Sequence, residues 1–191
     1  MEAFRKAGIE FILTANEASA GIMADVTGRL TSIPGICHST FGPGATNIST
    51  GIGGAYLDRS PVIVFTSEMS DEMTGRTTQM NINHQELFRP ITKATFRLNR
   101  KNVKEVIANA VMLCKESYPG PVHIGLPYDL ADVDIDDIPE SLLSPHKEHY
   151  NNDIEAVTTL LNVSRSPLIA LGLTAQRHGL KRACPDIFQQ G

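Results

Sequence analysis

The stretch HSTFGPGATNISTGIGGAYLDRSPVIVF, residues 38–65, decides how this chain is read. At its centre, Phe41-Gly42-Pro43-Gly44-Ala45-Thr46-Asn47 joins an apolar segment to a glycine-rich helical one. Glycines at a strand-to-helix turn mark a place where something comes close to the backbone. Two nucleotide motifs fail on the residues. A dinucleotide fingerprint needs G-x-G-x-x-G, and the third glycine is missing both from Gly42–Asn47 and from Gly51–Tyr56. A phosphate P-loop needs G-K-[ST], and the sequence holds no Gly-Lys. Taken alone, the turn reads as a tight connection feeding a helix that packs closely on a sheet.

Outward from the turn, apolar runs alternate with helical patterns. Toward the N-terminus, MEAFRKAG predicts the last turns of a helix stopped by Gly8. IEFILTA (9–15) predicts a buried strand, and Asn16 caps a helix over EASAGIMADVTGRL. GICHST (35–40) predicts the strand before the turn, with a helix from Thr46 to Leu57 after it. PVIVFTS (61–67) is a further strand. Residues 68–90 are polar and aperiodic, a long loop with a short helix near His84–Phe88. TKATFRL predicts a strand. NVKEVIANAVMLCKESY places Val103, Val106, Ile107, Ala110, Val111 and Cys114 on one helical face, and PVHIGLP (121–127) closes the series as a strand. This alternation predicts an α/β fold with a mostly parallel sheet and helices on both faces.

After Pro127 the composition turns acidic and proline-containing. The expected organisation is a domain over 1–130, a linker over 131–150 and the start of a second α/β domain over 151–191. The first unit begins inside a helix with no strand before it, and the second is too short to close its own core. Both ends are therefore expected to be cut.

Composition is that of an ordinary soluble globular protein, with 41% hydrophobic and 20% charged residues among 191. A net charge of −4 supplies no attraction for nucleic acid or an anionic membrane. The densest basic cluster, Arg97, Arg100, Lys101 and Lys104, reads as a solvated helix start. Cys37, Cys114 and Cys184 are far apart and never in CxxC spacing, which points away from disulfides and zinc and toward a reducing, cytoplasmic compartment. No apolar run is long enough to span a membrane.

Several motifs in this order carry a resemblance. They are Glu17, Ala24-Asp25, Arg29, Gly42-Pro43-Gly44-Ala45-Thr46-Asn47, Ala55-Tyr56-Leu57-Asp58, Ser60-Pro61 and Val62–Phe65, then LFRPITKAT (87–95) and YPGPVHIGLPYDL (118–130). The chain resembles the pyrimidine-binding domain of thiamine-diphosphate enzymes of the acetolactate synthase type, and SRSPLIALG resembles the opening of that family's central domain. Ala15-Asn16 and Val26-Thr27 depart from the family pattern, and Met80 stands where the family has a glutamine.

The resemblance implies decarboxylation or carboligation of a 2-keto acid or a related small-molecule substrate, with thiamine diphosphate as cofactor. Glu17 would be the acid that exchanges a proton with N1′ of the aminopyrimidine, and burial beside that ring would raise its pKa. Gly42, Pro43 and Gly44 would form the cofactor wall. Asn47 would lie at the cofactor turn, chiefly as a structural residue. Met80 and His84 would face substrate. On the residues alone, Glu17 is equally a helix-start acid, His84 an exposed helix cap, and His38 a satisfied core residue. Mg2+ would be held only through a separate diphosphate-binding domain, because Gly-Asp-Gly does not occur here. The site would lie between chains of a homo-oligomer, a dimer or tetramer, and this chain alone would be inactive. The rival readings are a non-catalytic binding subunit and a flavodoxin-like nucleotide binder.

Overall fold

A computed structural model describes residues 2–116, 118–131, 133, 154–168, 170 and 172. The chain divides into two units, Met1–Pro145 and His146–Gly191.

The first unit is built on four parallel strands: β1 (Gly35–Ser39), β2 (Val62–Glu68), β3 (Ala94–Arg97) and β4 (Pro121–Pro127). Their order is β1-β2-β4-β3. Val62 lies beside Gly35 on one side and Pro121 on the other, and Ala94 lies beside Val122. Parallel neighbours require crossovers, and helices supply them. These are α2 (Glu17–Thr31), α3 (Pro43–Leu57) and α6 (Val103–Lys115), with the short helices α1 (Glu2–Lys6), α4 (Asp71–Thr74) and α5 (His84–Phe88).

The period-2 geometry of the strands splits the core in two. Cys37, Val62 and Val64 face Ala24 of α2, Ala45, Ile48, Ile52 and Ala55 of α3, and Phe88 of α5. Ile63, Val122 and Ile124 face Val106, Ala110 and Cys114 of α6. Helices therefore cover both faces, as the alternation predicts. Val111 differs from the expected face of α6 and is 37% exposed.

The small residues of α2 and α3 have a clear use inside the chain. A Cβ on Gly21 would sit 3.1 Å from Gly51 Cα, and one on Gly51 would sit 2.7 Å from the Ile22 nitrogen. The two helices cross backbone to backbone there, which only glycine permits. The motif residues Asp25, Arg29 and Asp58 tie the same pair together. Arg29 bonds Asp25 at 2.5 Å within α2 and reaches Asp58, at the end of α3, at 2.9 Å.

Three expectations fail. Residues 9–15 form no strand: Ile12 and Leu13 are 61% and 84% exposed, and the segment has irregular backbone. The cause is the lack of ladder pairing to any described strand. Helix α3 begins at Pro43 rather than Thr46, because proline suits the first helical position, where no amide donor is needed. Arg97 is not a solvated helix start, since it is drawn into a half-buried ion pair. In the second unit, α7 (Ile154–Val163) fits the expected helix. Beyond it, the described residues Pro167, Leu168, Ala170 and Gly172 have irregular backbone. The linker expected over 131–150 lies almost wholly outside the described residues.

Candidate active site

Glu17 opens α2. Asn16 caps that helix in extended backbone, its Oδ1 accepting from Ala18 N–H at 2.8 Å. This places the Glu17 carboxylate at the first turn, beside the start of α3. Asn47, one turn into α3, donates Nδ2–H to Glu17 Oε2 at 2.6 Å. A Cβ on Gly44 would lie 2.7 Å from Thr40 Cγ2 and 3.6 Å from Glu17 Oε1, so glycine lets the start of α3 pack on Thr40 beside that oxygen. Glu17 opens onto a groove of about 530 Å3 whose walls include Ala20, Met23, Ala24, Cys37 and Thr40. Glu10 also lines the groove, and a mostly apolar slot with a carboxylate at Glu17 fits a flat heteroaromatic ring bearing one basic nitrogen.

The Glu17 pKa is held below its ordinary value, first by a backbone hydrogen bond at the helix start and then by Asn47. The opposing desolvation is the smallest cause. Asn47 is more than a turn stabiliser, since its amide holds the carboxylate itself. Gly42, expected as wall for a ring, is already covered by protein. It sits at φ +63°, and a Cβ there would lie 2.7 Å from the Met80 carbonyl oxygen and 2.8 Å from Met80 Cα. What approaches the backbone at Gly42 is therefore Met80. Met80 itself is in the left-handed region at φ 57°.

His84 is the largest departure. It is 2% exposed rather than an exposed cap, and Asn83 caps α5, its Oδ1 accepting from Glu86 N–H. The ring lies between Gly42 and the sheet, and burial lowers its pKa against the opposing pull of Glu68. Together with Met80 it reaches a cavity of about 400 Å3, also lined by Phe41, Glu68, Gln85 and Arg97. His84 and Met80 thus share one wall beside the turn. Glu68 accepts from Arg97 Nε at 2.7 Å and from Gln85 Nε2 at 2.8 Å, and Arg97 also reaches Asp71 at 2.5 Å. His38 is half-buried and meets Ser67 Oγ at 3.1 Å, as a satisfied strand residue would.

Sequence reasoning missed Thr66, Glu68, Arg97 and His123. His123 is fully buried and stacked on Phe88 with ring centroids 4.3 Å apart, and burial pushes its pKa down to about 3. A histidine inside the apolar run PVHIGLP was the available signal.

Residues 1–87 match the family described as thiamine pyrophosphate enzyme, N-terminal TPP binding domain. The chain is 41% identical over 126 residues to a "Probable acetolactate synthase large subunit" of Methanocaldococcus jannaschii, covering 65% of this chain and 21% of that protein. It is 31% identical over 171 residues to the acetolactate synthase large subunit of Lactococcus lactis, covering 86% and 30%. It is 35% identical over 127 residues to a "Probable 2-ketoarginine decarboxylase" of Pseudomonas aeruginosa, covering 64% and 23%. The chain carries the N-terminal domain of a thiamine-diphosphate-dependent enzyme of the acetolactate synthase type. It spans about a fifth to a third of the length of these relatives. Among the described residues, no helix is long and apolar enough to cross a membrane.

Proposed function

We propose that this chain supplies the aminopyrimidine-binding half of a thiamine-diphosphate site that decarboxylates or carboligates a 2-keto acid. The observation that carries the reading is the Glu17 carboxylate at the start of α2, held by Asn47 and flanked by Gly44 at the mouth of an apolar groove. Glu17 would meet the pyrimidine N1′, and Gly44 would leave room for the ring's edge. When bound, thiamine diphosphate supplies an acidic C2–H whose removal is assisted by its own 4′-amino group. Glu17 serves this by holding and exchanging a proton at N1′. A basic ring nitrogen placed against the carboxylate, with water excluded from the groove, gives Glu17 a reason to keep a proton that the open groove does not. Asn47 fixes the orientation of the carboxylate without competing for the proton, since an amide nitrogen only donates.

In this reading residues 1–130 form the pyrimidine domain and 151–191 begin a central domain. The diphosphate and Mg2+ are held by a diphosphate-binding domain of a partner chain, in a cytoplasmic homo-oligomer, dimer or tetramer. Exposed apolar side chains support self-association: Ile22, Val26 and Leu30 form a stripe along α2, and Ile36 is 68% exposed on the edge strand. Buried, unpaired Cys37 and Cys114 suit a reducing compartment.

One experiment addresses both parts. The purified chain is expected to sediment as a dimer or larger at about tens of micromolar, a range that suffices for an interface of ordinary size. With thiamine diphosphate and Mg2+ it should turn over no pyruvate until a diphosphate-binding domain is supplied. A clean monomer counts against the assembly, and turnover by the chain alone counts against the divided site.

A further inference from the structure

His84, Thr66 and His123 form a buried chain of hydrogen bonds that the proposed chemistry does not use. Gly42 N–H donates to His84 Nε2 at 3.2 Å. A backbone amide only donates, so Nε2 is the acceptor and the neutral ring carries its proton on Nδ1. Nδ1–H meets Thr66 Oγ1 at 2.8 Å, and Thr66 Oγ1 meets His123 Nε2, also at 2.8 Å. Donation of the threonine proton to His123 Nε2 leaves that ring's own proton on Nδ1, a buried atom with no hydrogen-bond partner, and the opposite sense leaves the hydroxyl proton without an acceptor among these side chains. The tautomer of His84 is therefore fixed at its other end, by the Gly42 amide. The far end of the chain is held by packing, because His123 is stacked on Phe88 at the centre of the sheet.

The same geometry rules out the obvious alternative, a metal site. Ligand atoms of Glu68, His84 and His123 lie within 4.8 Å of one another. A cation there would need the Nδ1 lone pair of His84, which moves the ring proton to Nε2 and sets N–H against the Gly42 N–H. Glu68 is already paired with Arg97, and Thr66 Oγ1 bonds both imidazoles.

Gly42 is clasped twice by the loop that follows β2, through the close approach of Met80 and through the bond to His84. Gly42 is also the residue on which α3 starts, and α3 carries Gly44 and Asn47 to Glu17. We propose that His84 is a positioning residue for the cofactor turn, its tautomer fixed by the Gly42 amide and its ring anchored to the sheet through Thr66. The proposal rests on the reading of the Glu17 groove as the pyrimidine site.

The test uses two replacements at one position. Glutamine can bring Oε1 near the place of Nε2 and accept from Gly42. Asparagine is one methylene shorter and reaches only toward Thr66. In the 15N-labelled chain, long-range imidazole spectra are expected to show the Nδ1–H tautomer at His84. Hydrogen exchange at the Gly42 amide should rise about 10- to 100-fold in His84→Asn, the range for a buried donor losing its partner. In His84→Gln it should stay within about threefold of the parent. An Nε2–H tautomer, or unchanged Gly42 exchange in His84→Asn, overturns the proposal. If His84→Asn does not fold, Thr66→Val takes its place: Gly42 exchange should rise as the ring loses its anchor on the sheet, and Thr66→Ser should restore it. A Thr66→Val protein with Gly42 exchange at the parent rate overturns the anchoring. In the enzyme joined to its diphosphate-binding domain, His84→Asn should weaken thiamine diphosphate binding about tenfold, the equivalent of one hydrogen bond of this kind, and His84→Gln should not. Equal weakening by both, or by neither, overturns the positioning role, while C2–H exchange in a Glu17 variant judges the pyrimidine reading separately.

Discussion

Glu17→Gln, in an enzyme that joins this domain to a diphosphate-binding domain, is expected to slow C2–H exchange of thiamine diphosphate by about 10²–10⁴-fold, the usual worth of a positioned general acid–base. Glutamine keeps the shape of the side chain, and its amide can still bond the ring, but it cannot pass a proton to and from N1′. The loss should appear in kcat more than in cofactor affinity, since most of the anchoring would come from the diphosphate and its metal. Asn47→Ala should give a smaller loss, because the carboxylate remains and only its orientation is freed. The measurement is NMR-detected exchange of the C2 proton in D2O. A glutamine variant that exchanges at the parent rate would reduce Glu17 to an acid that suits the start of α2, a role its lowered pKa also fits.

Gly35→Ala is expected to cost about 3 kcal/mol or more in folding stability, at the upper end for overpacking at a site that cannot yield. A Cβ at Gly35 would lie 1.9 Å from the Ala24 carbonyl oxygen and 2.6 Å from its carbon. Both atoms belong to the backbone of α2, so no rotamer change relieves the clash. Gly35 also begins β1 and donates its N–H to Pro61 at 3.0 Å, so the strand cannot simply retreat. Gly54→Ala is the matched control. Nothing lies within 4 Å of a Cβ there, and the exposed helical position should gain about 0.5–1 kcal/mol. Urea unfolding of the three proteins separates the cases. A Gly35→Ala protein within about 1 kcal/mol of the parent would mean that α2 does not press on β1.

Much of the fold was legible in the chain because it depends on short-range patterns. Continuous apolar runs of strand length, each followed by a capped or amphipathic helix, leave few arrangements besides a parallel sheet with helical crossovers. Asn16 before Glu17 and the face of α6 are local signals, and they mark a real helix start and a real buried face, whereas α3 starts at Pro43, ahead of the Thr46 that the pattern suggests. The run Ile9–Ala15 shows the limit of such signals. Apolar composition makes a strand available, but a strand exists only when another strand completes its hydrogen bonds.

The candidate site divides along the same line. Glu17 and Gly44 could be named from the chain, because a motif of ordered residue types identifies them. Asn47 and His84 could be named as well, but not the groups they hold. Asn47 reaches Glu17 across 30 residues and His84 reaches Gly42 across 42, and no periodicity connects positions so far apart. His84 has the local signature of a solvated loop residue, and only the folded chain shows that it lies under the turn, out of water. Gly42 has the signature of a site for a ligand's close approach, and the fold spends that approach on Met80. Sequence by itself determined the elements, their alternation and the residue types able to do acid–base work. Tertiary structure alone decided which atoms meet, because contact, burial and the direction of a hydrogen bond are properties of groups brought together in space, and the chain between them carries no record of the distance.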